Sequence, residues 1–143
     1  MSSLRSSRPP SGCTEVGSWT LGDSRQLSAL RHSLQDALDG EHLDEVPEKV
    51  ALVASELATN ALRHGLPPTV VRLLRSDEAF VLDVADHDTE VIPQPEDEEP
   101  DSEGGRGLQI ARRLALDVGW YAADSTKHVW AQFAAPVRET PPR

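Results

Sequence analysis

Three polar side chains recur at every fourth position of an otherwise apolar segment. Glu56, Asn60 and His64 lie four residues apart, so an α-helix would place them along one edge, about one turn from each other. The surrounding residues are small or apolar and can bury the opposite side of that helix. A carboxylate, an amide and an imidazole on one edge could hold a metal ion and phosphate groups. Taken alone, the stripe favours a helix edge that faces solvent.

Two more motifs follow downstream. Asp86 ends the apolar run of residues 79–85, and a glycine-rich stretch then precedes an amphipathic segment: Gly104, Gly105, Arg106 and Gly107. The backbone amides of such a turn and the N-terminus of the following helix form an anion-binding site. The pattern Gly-x-x-x-x-Gly-Lys-Ser/Thr is missing, which excludes a P-loop. The glycines follow a polar loop and not a strand, which argues against a dinucleotide-binding fold.

The helix edge offers candidates for metal binding and catalysis. The amide oxygen of Asn60 can complete the oxygen shell of Mg²⁺ while phosphates and water supply the other ligands. Asn is otherwise an unfavourable residue in the middle of a helix. Glu56, one turn earlier, would face metal-bound phosphate and could orient or deprotonate a hydroxyl or a water. His64 could donate to phosphate or interact as a cation with the helix dipole, and both interpretations stand.

The order of these motifs resembles the ATP-binding domain of the GHKL superfamily, the Bergerat fold. That domain has an acidic-x-x-x-Asn helix, an Asp at a strand end and a Gly-rich turn into a helix. In particular, the chain resembles the anti-sigma-factor serine/threonine kinases, in which Glu-Leu-x-x-Asn-Ala-x-x-His-Gly, Gly-Gly-x-Gly-Leu and a late Val-Trp-Ala recur. The resemblance covers roughly residues 14–135.

The resemblance implies ATP and Mg²⁺ as cofactors and assigns further residues to the nucleotide. Asp86 would accept a hydrogen bond from the adenine amine, although an Asp in this place can also cap a turn. Thr126 resembles the late hydroxyl that supports this adenine contact. The glycine-rich stretch and Leu108 would hold the phosphates. Arg106 could reach the phosphates or remain a solvated loop cation.

Two functions fit the resemblance. The leading interpretation is an anti-sigma-type regulatory serine/threonine kinase that phosphorylates a small antagonist protein and sequesters a sigma factor in a partner-switching system. The alternative is a nucleotide-binding regulatory module that switches protein partners without phosphoryl transfer. Glu56 favours the kinase. The module is favoured by a departure from the family's Asp-x-Gly-x-Gly, where this chain reads Asp86-His87-Asp88-Thr89-Glu90 and offers less room for backbone near a nucleotide.

Other classes fit less well. A sensor histidine kinase would need a helical hairpin with an acceptor histidine, which the sequence does not predict. Homodimer formation is neither supported nor opposed. The chain contains no long apolar run and no signal peptide, so we expect no membrane association and a cytoplasmic protein. Cys13 is the only cysteine, which excludes an intramolecular disulfide and a Cys-based zinc site.

The net charge of −10 is concentrated in one segment. Nine of the 24 acidic residues lie between Asp86 and Glu103, a stretch without Lys or Arg, which leaves 15 acidic against 14 basic residues elsewhere. Such a block argues against a nucleic-acid partner. Residues 87–103 also contain three prolines, so we predict an acidic loop. It could serve as a nucleotide lid or as a docking element for a basic partner surface.

The remaining patterns predict the elements that position these residues. We expect an α/β two-layer sandwich in which three helices cover one face of a mixed, mainly antiparallel sheet. One domain would span residues 14–136, with flexible tails at 1–13 and 137–143. The first predicted helix begins at Asp23 or Ser24 and ends at Gly40. The second runs from about Pro47 to Gly65, and the third follows the glycine-rich stretch. The predicted strands are 15–21, 69–75, 79–85, 118–122 and 128–133.

Overall fold

The computed structural model describes residues 6–38, 45–88, 103–123 and 125–135, with the side chains of 103–107 left aside. The elements in chain order are β1 (Thr14–Leu21), a 3₁₀ helix (Ser24–Gln26), α1 (Leu27–Leu38), α2 (Val46–His64), β2 (Thr69–Arg75), β3 (Ala79–Asp86), α3 (Glu103–Leu114), β4 (Asp117–Ala122) and β5 (Lys127–Ala134). Every predicted strand and helix is present. Within these ranges, no helix is both long and apolar enough to cross a membrane.

The five strands form one sheet in the order β1-β2-β3-β5-β4. Each neighbouring pair is antiparallel, so the two-layer α/β sandwich is confirmed, while the mixed character that we predicted is not found among these strands. The hairpin of β2 and β3 has the predicted turn at residues 76–78. β3 is the central strand, and all eight of its residues are buried.

The three helices pack on one face of the sheet, with α2 between α1 and α3. Side chains of a strand alternate between its two faces, and Phe80, Leu82 and Val84 of β3 contribute to the helix-side core. Leu34 of α1 and Leu57 of α2 fill the same core. Burial of these apolar surfaces is the main favourable contribution to folding.

Helix boundaries follow capping chemistry. Asp23 caps the 3₁₀ helix that leads into α1, and its side chain accepts a hydrogen bond from the Arg25 amide at 2.8 Å. Helix α2 has Pro47 in its first turn and Gly65 as its C-cap, as predicted. The predicted stop of α1 at Gly40 lies outside the described residues.

Two boundaries differ from our predictions. Helix α3 begins at Glu103, so residues 104–107 belong to the helix and do not form a turn before it. Glycine is a poor helix former, and the sequence pattern therefore placed the helix start too late. Residues 6–13 were predicted to be part of a flexible tail, but Ser7 donates its amide to the Trp120 carbonyl at 2.9 Å and accepts from Trp130 Nε1 at 2.7 Å. This segment is therefore attached to β4 and β5.

The sheet face opposite the helices carries a buried polar network centred on Asp83. Its carboxylate accepts a hydrogen bond from the Tyr121 hydroxyl at 2.8 Å and lies 2.7 Å from His128 Nδ1. Arg72 Nη2 lies 3.5 Å from the same carboxylate. The Tyr121 and His128 rings stack with centroids 4.5 Å apart, and Arg8 lies over the Tyr121 ring. Asp83 is fully buried and is balanced by this set of donors.

The ionisation of Tyr121 tests this network. Burial, the Asp83 charge and the Asp83 hydrogen bond raise the pKa of Tyr121 to about 12. A raised pKa means that the folded state holds the proton more tightly. The stabilising contribution is therefore full below the ordinary value of 10 and is lost as the pH rises towards 12. Tyr121 is the only tyrosine, so phenolate absorbance reports on it alone, and we expect a midpoint near 12 in folded protein.

The matched variant is Asp83→Asn, which removes the charge but leaves the burial of the ring. Its midpoint should lie between the ordinary value of 10 and that of the parent protein. Far-UV circular dichroism at each pH identifies the range in which the protein is folded. A midpoint at the ordinary tyrosine value in the folded parent would contradict the network.

Candidate functional site

The C-terminus of α2 meets the end of β3 at Gly65. The Gly65 amide donates to the Ala61 carbonyl at 2.8 Å, and the His87 amide donates to the Leu66 carbonyl at 2.9 Å. A Cβ atom at position 65 would overlap the Asp86 carboxylate and lie 2.7 Å from the Ala61 carbonyl oxygen. Glycine is therefore required here because the helix end and Asp86 approach each other closely.

Asp86 is held from two sides. Its Oδ1 accepts a hydrogen bond from the Asp88 amide at 2.8 Å, and its Oδ2 lies 3.6 Å from Lys127 Nζ, with both side chains under 10 % exposed. The Oδ2–Nζ distance is longer than a hydrogen bond. A carboxylate can accept about four hydrogen bonds, so Asp86 keeps capacity to accept one from a ligand.

Two buried polar residues beside Asp86 were missed by the sequence analysis. Lys127 of β5 pairs with Asp86 across the β3–β5 ladder, and Thr69 of β2 lies one position beyond the Val70–Ala85 pair. Thr69 is fully buried, and within the described part of the chain its hydroxyl has no hydrogen-bond partner. Thr69, Asp86 and Lys127 thus form a polar row across three neighbouring strands. Period-two alternation from the core residues of β5 could have shown that Lys127 faces inward.

The predicted polar edge of α2 begins at Glu56, nine residues before Gly65, and ends at His64 beside this junction. Among the described residues, no group donates to Asn60 Oδ1, although this oxygen is buried. Leaving such an acceptor unsatisfied costs about 1–3 kcal/mol. Glu56 is partly buried, and His64 is exposed in the last turn. The edge therefore presents one buried unpaired oxygen between a half-buried carboxylate and an exposed imidazole.

The Asn60 oxygen suits Mg²⁺ that is bound together with a phosphate chain. In the part of the chain that the structure describes, no cluster of three His, Cys, Asp or Glu side chains could hold a metal ion. Mg²⁺ typically takes only one or two protein oxygens and completes its shell with phosphate oxygens and water. A single amide oxygen beside a phosphate chain fits this donor set.

The other residues predicted to contact a nucleotide lie on α3 and just before β5. Gly104, Gly105, Arg106 and Gly107 lie in the first turns of α3, where the first four backbone amides of a helix lack helical partners. The Leu108 side chain belongs to the core at 1 % exposure, so a nucleotide contact of Leu108 would have to use its backbone. The Thr126 hydroxyl lies 2.8 Å from His128 Nε2 and so joins the Asp83 network, whereas Lys127 is the residue that contacts Asp86.

Comparison with known proteins identifies the family of the chain. A family model described as a histidine kinase-like ATPase domain matches residues 21–133. The match contains only the last residue of β1 and omits the last residue of β5, but it includes every other element and all the site residues named above. No curated protein matches the chain.

Asn60→Ala tests the metal ligand. The variant should lose the Mg²⁺-dependent part of its ATP affinity in isothermal titration calorimetry. Its free energy of unfolding should stay within about 1 kcal/mol of the parent, because removal of an unsatisfied acceptor offsets the lost packing. Thr59→Ala is the control, since it removes a hydroxyl on the same helix that donates to the Ser55 carbonyl at 2.6 Å. Equal Mg-ATP affinity in Asn60→Ala and the parent would refute the assignment.

Gly65→Ala tests the close approach of α2 to Asp86. The added methyl group meets backbone as well as the carboxylate, so we expect a loss of about 1–3 kcal/mol in the free energy of unfolding and weaker ATP binding. Gly22→Ala is the control, because its Cβ would lie 3.6 Å from Gln26 Oε1, an ordinary contact. Equal free energies of unfolding for the two variants, measured with denaturant, would contradict the steric role of Gly65.

Proposed function

The chain belongs to the family of histidine kinase-like ATPase domains, and we propose that it is an ATP- and Mg²⁺-dependent anti-sigma-type serine/threonine kinase. Its substrate would be a small antagonist protein, and a sigma factor would be the alternate partner in a partner-switching system. Family membership supports an ATP-binding, kinase-like regulatory module. The kinase activity, the metal and the partners are our proposal.

The unpaired oxygen of Asn60 carries the proposal. It is buried on α2, and no described residue donates to it. It lies five residues before Gly65, about one and a half helical turns, and the backbone of Gly65 packs against the Asp86 carboxylate. A nucleotide whose base lies at Asp86 and whose phosphates reach Asn60 would use both groups. Mg²⁺ bound at Asn60 would neutralise charge on the phosphates during transfer.

The residues of the chain would have separate roles in phosphoryl transfer. Asp86 binds the adenine amine, and the free amides in the first turn of α3 bind phosphate oxygens. The Ser or Thr hydroxyl oxygen of the substrate attacks the γ-phosphorus. The bond from that phosphorus to the β–γ bridging oxygen breaks, and ADP leaves. Glu56 accepts the hydroxyl proton, a role supported by its position on the same helix edge as Asn60, where it would lie next to the phosphates.

The binding-module alternative is supported by the state of Asp86. Its carboxylate is nearly buried and already held by the Asp88 amide and Lys127. A protein that binds ATP slowly or weakly could still change partners according to its nucleotide state, without transferring phosphate. The two functions share the nucleotide site and differ in the need for Glu56.

Glu56→Gln separates the two functions. The amide keeps the size of the side chain but cannot accept the proton, so ATP should bind with parental affinity while phosphoryl transfer falls by about 10²–10⁴-fold. Transfer is measured with radiolabelled ATP and candidate antagonist proteins. Binding is measured by calorimetry on the same preparations.

Glu48→Gln is the matched control, because Glu48 is an exposed carboxylate in the first turn of α2. It should transfer phosphate at the parental rate. Equal rates for Glu56→Gln and the parent would exclude Glu56 as the base. If the parent binds ATP but transfers no phosphate to its partner, the module is the correct function.

A further inference from the structure

We propose that Lys127 is a second base-reading residue, which donates a hydrogen bond to N1 of adenine while Asp86 accepts one from the amine. This inference rests on the proposed nucleotide site and specifies how that site would select its base. The sequence motifs assigned no nucleotide contact to Lys127. Its assignment comes from its position beside Asp86.

The geometry brings an acceptor and a donor to one place. Lys127 and Asp86 are paired across the β3–β5 ladder, and Nζ lies 3.6 Å from Oδ2. The two groups are close enough to face neighbouring atoms of one planar base edge. They are not joined by a short hydrogen bond, so each keeps a free direction for a ligand.

Burial makes this pair unusual for a lysine. The Lys127 side chain is 8 % exposed, whereas lysine is almost never buried without a specific partner. An ammonium group has three donors and no acceptor. The Asp86 oxygen at 3.6 Å is too far away to give any of these donors a short hydrogen bond. The buried Thr69 hydroxyl in the same row has no partner among the described residues, which adds to the unsatisfied polar capacity at this end of the sheet.

The Asp86–Lys127 pair matches the Watson–Crick edge of adenine. That edge presents an amine donor next to the N1 acceptor, so the amine faces Asp86 and N1 faces Lys127. Guanine in the same orientation presents the O6 acceptor to the carboxylate and the N1–H donor to the ammonium, and both contacts are unfavourable. Lys127 therefore adds selectivity for adenine beyond that of Asp86 alone.

A purely structural role for Lys127 makes a different prediction. If Lys127 only neutralises the buried Asp86, its loss would weaken the binding of every nucleotide by the same factor. If Lys127 donates a hydrogen bond to N1, its loss would abolish only the preference for a base that has N1 over a base that lacks it. The ratio of two affinities in one protein distinguishes these cases, because effects on folding cancel in the ratio.

The experiment uses calorimetry of the full chain with Mg²⁺ and three nucleotides: ATP, 1-deaza-ATP, which lacks N1, and purine riboside triphosphate, which lacks the amine. In the parent, 1-deaza-ATP should bind roughly ten- to hundredfold more weakly than ATP, as expected for a hydrogen bond to a charged group. In Lys127→Met this ratio should fall to about one. The loss of affinity for the purine analogue should persist, because Asp86 is retained.

Lys49→Met is the control, since Lys49 and Lys127 are the only two lysines and Lys49 forms an exposed ion pair with Glu45. It should keep the parental ratio. Equal binding of ATP and 1-deaza-ATP by the parent would overturn the inference even if Lys127→Met fails to fold. An unchanged ratio in folded Lys127→Met would also overturn it, while ATP binding and the proposed function remain. Failure of the parent to bind any of the three nucleotides would overturn the proposed function and this inference together.

Discussion

The contact between Gly65 and Asp86 is the constraint on which the site depends. It fixes the end of the longest helix against the end of the central strand, with no room for a side chain at position 65. Because a helix is rigid over a few turns, this contact and the packing of Leu57 in the core together determine where Asn60 and Glu56 lie relative to the sheet. The motif His64-Gly65 is thus explained by its glycine, which allows the approach, more than by its exposed histidine.

Two buried carboxylates of β3 lie three residues apart and therefore on opposite faces of the sheet. Asp83 is fully engaged by Tyr121, His128 and Arg72, so it stabilises the face without helices. Asp86 has one hydrogen bond and one loose ion pair, and it keeps capacity for a ligand. A slip of one residue in the pairing of β3 would exchange the two faces. The fixed register of the sheet therefore keeps the structural carboxylate apart from the one that we assign to the ligand.

The sequence predicted the elements well because their signals are local. Apolar periodicity gave the helices and strands, and Pro47 and Gly65 gave the ends of α2. The start of α3 was predicted too late, since glycines disfavour a helix by propensity although the chain is helical from Glu103. Lys127 and Thr69 were missed because their importance comes from lateral neighbours in the sheet. Thr69 and Lys127 lie 17 and 41 positions from Asp86 in the sequence, and no local pattern records such a contact.

The unsatisfied groups of the site indicate how ligand binding and stability are linked. Asn60 Oδ1 and the Thr69 hydroxyl are buried without partners among the described residues, and each lowers the stability of the free protein. A residue that is unfavourable in the free fold is expected where function requires a preformed binding group. A ligand that satisfies these groups binds the folded state alone, so it must also stabilise it, in proportion to its affinity and concentration. The same atoms that weaken the free domain would then couple its folding to the presence of the nucleotide.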